Sequence, residues 1–96
     1  MNARFVLEDE VHCEWLGEFA TLAAARAELE RLATLPWDEP PLAAPCTGWR
    51  ACGREVAILE YDATGDPWRL VRREDGFRVD ARGVAWGADG PPDTGG

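Results

Sequence analysis

The chain has 96 residues, with 18 carboxylates against ten basic side chains and one histidine, for a formal net charge of −8. That length supplies apolar residues for one core, and the acidity excludes a sequence-independent nucleic-acid binder, which needs a basic face to neutralise phosphates. Lys, Ser and Gln are absent, so every basic residue is arginine, and P-loop, Schiff-base and serine-nucleophile chemistries are closed together.

His12 is the only histidine, which also removes two-histidine metal sites and His-His acid/base pairs. The Lys-free, Ala-, Arg- and Gly-rich usage is expected of a GC-rich bacterial genome. No run approaches the roughly 20 apolar residues of a membrane helix, and "MNARFVLEDEV" lacks the blocks of a secretory signal. The expected location is cytoplasmic, with no membrane association. Three cysteines in such a compartment are expected as thiols, with Cys13 in the core.

Along the chain, residues 3–8 (ARFVLE) and 11–19 (VHCEWLGEF) alternate with the period of two of a half-buried strand, and 8–10 (EDE) reads as the charged turn between them. From Thr21 the period becomes helical: Leu22, Ala25, Leu29, Leu32 and Leu35 share a face, with Thr21 as N-cap and Pro36 setting the end. Residues 55–62 (EVAILEYD), apolar on both faces, read as a central strand. Residues 67–74 and 76–82 follow as two more strands, with Asp75-Gly76 as the hairpin between them. The expected fold class is α+β, order ββαβββ: one amphipathic helix on an antiparallel sheet of about five strands, a single domain over 1–88. The tail 89–96 has almost nothing to bury and is expected to be disordered.

Between helix and central strand, residues 36–55 (PWDEPPLAAPCTGWRACGRE) hold four prolines, two tryptophans and two cysteines without a period. Irregular connections longer than about 12–15 residues are uncommon in compact domains, and tryptophan and leucine argue for order. Its contents nominate a binding surface, since tryptophan and arginine dominate binding hot spots. Trp37 and Trp49 are the expected apolar anchors; Arg50 and Arg54 would meet carboxylates, and Asp38 and Glu39 basic groups. The competing structural role is that Trp37 and Trp49 plug the open end of a small core. Trp15 and Trp68, beside apolar neighbours in strands, are expected in the core itself.

Other constellations carry less. A zinc set of His12, Cys13, Cys46 and Cys52 is disfavoured because adjacent strand residues point to opposite faces and the cysteine spacing is long. Cys52 lies between Arg50 and Arg54, which favour a thiolate, but lacks a partner base in sequence. Glu60 and Asp62 share a strand face, where ion pairs to Arg69, Arg72 or Arg78 are the ordinary outcome. The expectation is therefore a small protein-binding module without catalytic activity or cofactor, meeting a protein partner or itself through 36–55 and the adjoining sheet face. The alternative is a receptor whose tryptophans and carboxylates line a pocket for a cationic or aromatic small ligand, with a carboxylate or cysteine enzyme behind it.

Overall fold

The structure is a computed structural model that describes residues 2–43 and 53–89. Five strands and one helix follow in the order β1 (Ala3–Asp9), β2 (Glu14–Phe19), α1 (Leu22–Leu32), β3 (Arg54–Asp62), β4 (Arg69–Asp80) and β5 (Gly83–Trp86). All neighbours are antiparallel in one sheet ordered β2-β1-β3-β4-β5. This is the α+β, ββαβββ architecture that the periodicities specify, with 55–62 at its centre as part of β3.

Local chemistry starts the helix where expected. Thr21, extended at φ −133° and ψ 153°, accepts the Ala24 amide on its hydroxyl at 3.1 Å, satisfying a first-turn donor that the helix itself leaves unpaired. Ala25, Leu29 and Leu32 face the sheet and complete a core with Phe5, Leu7, Val56, Ile58, Phe77 and Val79. Regular helix stops at Leu32, short of Pro36, with the Leu35 amide bonded to the Leu32 carbonyl in a following turn. Leu42, beyond the helix, also enters this core, and Trp37 packs against it. No helix among the described residues is long and apolar enough to cross a membrane.

Three bulges decide which side chains meet the helix. In β2, Gly17 opposes Leu7 and Trp15 opposes Glu8, leaving Leu16 as the extra residue. In β4, Gly76 is extra between Phe77 (opposite Val56) and Asp75 (opposite Ala57), and Val71 is extra between Leu70 (opposite Tyr61) and Arg72 (opposite Glu60). Each extra residue shifts the two-residue period by one, so side chains beyond it change faces.

Several expectations are corrected by this. Asp75-Gly76 is not a hairpin: 67–74 and 76–82 largely merge into the one long strand β4, and the true turn is Ala81-Arg82, with Gly83 at φ 108°. Glycine is needed at 76 for close approach, because a Cβ there would run into the Val56 carbonyl and the Leu29 side chain. The first turn is not 8–10. β1 runs through Asp9, and His12 and Cys13 lie in the turn before Glu14, Cys13 with φ 54° and exposed, not in the core. Trp15 is not a core residue either: the Leu16 bulge turns it to the face away from the helix, where it is 49% exposed. Trp68, half-buried, stacks on it there. The expected tail lies outside the described residues from 90 onward.

Candidate functional site

The segment after the helix is tied down by one buried arginine. Arg54, at the start of β3 and 4% exposed, donates from Nε to the Leu42 carbonyl (3.1 Å) and from Nη2 to the Ala43 carbonyl (2.9 Å). Its Nη1 meets Asp9 Oδ2 at 2.9 Å and Glu14 Oε1 at 2.5 Å. Asp9 is fully buried, and its carboxylate is saturated: Oδ1 accepts the Val11 and Glu55 amides, and Oδ2 also accepts from His12 Nδ1 at 2.6 Å. A polar group buried this completely is costly unless hydrogen bonds replace its water, and every partner here does so. The knot fixes the imidazole and the 42–43 backbone. Among the described residues no group of three or more His, Cys, Asp or Glu is placed to hold a metal ion.

The sequence-nominated residues therefore divide. Trp37 is half-buried against the core, whereas Asp38 and Glu39 are exposed, and the Glu39 carbonyl accepts the Leu42 and Ala43 amides. Arg54 spends its donors inside the protein. Trp49 and Arg50, like Cys46 and Cys52, lie outside the described residues. Glu60 and Asp62 pair with Arg72 (4.0 Å) and Arg69 (3.6 Å), the ordinary sheet-face outcome.

The face of the sheet away from the helix holds what the sequence did not disclose. Trp15, Tyr61 and Trp68 form a triangle with all three centroid separations between 6.0 and 6.1 Å. Trp15 stands on β2 and Tyr61 on β3, with β1 between, so their rings lean together over β1. Val6, Ala57 and Leu59 share that face and are buried although α1 lies on the other side of the sheet. The rings are thus a second, thin apolar layer, one side of which meets water. Leu70, directly opposite Tyr61, extends it at 52% exposure, and the adjoining bulge residue Val71 is 47% exposed. Apolar surface gathered in this way is the usual mark of an interaction site, unlike single exposed apolar residues.

Glu8 closes one side of the triangle. Trp15 Nε1 donates to its Oε1 at 3.1 Å, and burial together with the Glu8 charge pushes the Tyr61 hydroxyl pKa up. The other carboxylates of this face already have arginines: Glu18 with Arg4 (3.4 Å), Glu55 with Arg78 (3.2 Å), and Glu10 (2.7 Å) and Asp75 with Arg73. Glu8 has none among the described residues.

A cleft of about 270 Å³ opens at the Gly76 bulge, lined by Glu10, Glu55, Arg73, Asp75, Arg78 and Trp86 among others. Its charges are the ones just paired, so it presents compensated ion pairs and no convergent free group. No protein-family model, curated protein or solved structure matches this chain.

Proposed function

We propose that the chain is a small cytoplasmic binding module without catalytic chemistry of its own, meeting a protein partner through the open sheet face around Trp15, Tyr61, Trp68 and Leu70. The observation that carries this is the aromatic triangle, with Trp15 and Tyr61 on β-strands and Trp68 just before β4, partly exposed beside Leu70. Large, stiff aromatic side chains give much contact area for little lost conformational entropy, which is why they anchor interfaces.

A surface suits the geometry better than a small-ligand pocket. Rings with centroids about 6 Å apart already touch, leaving no slot between them. The test compares proteins retained from source cells by the wild-type chain and by Leu70→Glu, alongside the sedimentation behaviour of each. Retention, or self-association, that is present in wild type and lost in a folded Leu70→Glu supports the module; identical behaviour of the two chains rejects this face.

A further inference from the structure

We infer that the open face takes an arginine side chain of the partner, its guanidinium lying on the Trp15–Trp68 stack and donating to Glu8; this rests on the module proposed above. All nine described arginines of the chain are engaged in ion pairs. Glu8 stands apart as a carboxylate on the same face with no cation, its Oε1 held by the Trp15 indole and its Oε2 without a hydrogen bond among the described residues. The positive groups nearest in register do not compete for it: Arg4 is matched by Glu18, and Arg73 by Glu10 and Asp75.

Two tryptophan rings inclined at 28°, with a tyrosine beside them, offer negative π faces broad enough for a planar cation. A guanidinium matches this better than an ammonium does, because it stacks flat, is weakly hydrated and still presents in-plane N–H groups to a carboxylate. The chain's net charge of −8 adds long-range attraction for a basic segment. Nothing in this arrangement selects an apolar partner over an arginine-bearing one, whereas an unpaired carboxylate at the rim would penalise a wholly apolar contact.

The experiment is an NMR titration of the full chain, following the tryptophan indole N–H signals, with blocked Gly-Arg-Gly repeat peptides and matched Gly-Lys-Gly repeats. The Arg peptide is expected to shift the Trp15 and Trp68 signals saturably and to bind more tightly than the Lys peptide. Glu8→Gln, which keeps an acceptor for the Trp15 indole, is expected to weaken that binding roughly two- to fivefold. Glu30→Gln removes the same charge from the exposed helix surface and is expected to leave it unchanged. Equal binding of both peptides with equal losses in the two variants would overturn the inference in favour of general charge attraction. So would an Arg peptide that leaves the Trp15 and Trp68 signals unmoved. In either case the Leu70→Glu comparison still judges the module separately.

Discussion

Arg54 Nη1 lies 2.9 Å from Oδ2 of Asp9, joining β3 to β1 through a pair whose acid has no exposure to water at all. The same guanidinium carries the 42–43 backbone, so the pair links the sheet to the segment after the helix. Removing one member strands the other. Asp9→Asn is expected to cost about 3–5 kcal/mol in chemical denaturation, and Asp9→Leu with Arg54→Met together less than the sum of the two single changes.

The Gly76 bulge sets the phase of β4, and its glycine has a steric cause. Gly76→Ala places a methyl group against the Val56 carbonyl and Leu29, whereas Gly65→Ala meets nothing within 4 Å. Thermal unfolding is expected to show Gly76→Ala destabilised by about 1–3 kcal/mol and Gly65→Ala within about 0.5 kcal/mol of wild type. Equal effects would mean that the bulge tolerates a side chain.

Glu74 is buried on the helix side and receives Arg26 through two hydrogen bonds, at 2.9 and 2.7 Å, with Arg72 at 2.9 Å. The Arg26 hydrogen bonds hold its carboxyl below the usual carboxylate range against the opposing effect of burial, and Arg72 adds to them. A lowered folded pKa means that the unfolded chain takes up the proton first. The stabilisation is therefore complete above the unfolded value, about 4.3, and disappears as pH falls through the folded one. Glu74→Gln is expected to cost about 1–3 kcal/mol at neutral pH and progressively less in acid, read as converging denaturation midpoints below about pH 4.

Tyr61 is the only tyrosine, so its phenolate absorbance reports on the aromatic cluster alone. Burial is the larger cause of its raised pKa and Glu8 the smaller. Its titration midpoint is expected above the ordinary value of about 10, to fall part of the way back in Glu8→Gln, and to fall further in Trp15→Ala, which opens the cluster to water. An unchanged midpoint in both variants would remove Glu8 and Trp15 from the surroundings of the hydroxyl.

Much of the frame was legible in the residues because it depends on local pattern. Thr21 caps the helix, Leu29 and Leu32 bury, and Val56 to Leu59 show both faces of a central strand. The two-residue period fails wherever an extra residue enters a strand. Counting by twos from Phe19 puts Trp15 in the core, and counting from Val79 puts Asp75 there; the Leu16 and Gly76 bulges reverse both. Bulge positions depend on partner strands far away in sequence, so the face bearing Trp15, Tyr61, Trp68 and Leu70 could not be assembled from spacing. Asp9 was hidden for the same reason: among three acidic residues it resembles a solvated turn, and only Arg54, 45 residues on, makes it a buried one.

The most direct test replaces Leu70 with photo-reactive benzoylphenylalanine, irradiates the chain in its source cells, and compares it with chains carrying the same group at Glu30 or Asp38. Discrete adducts from position 70 that are absent from position 30, and suppressed by Trp68→Ala, are the result predicted for a partner seated on the open face. Adducts at position 30 or 38 with none at 70 would contradict it and place the contact elsewhere.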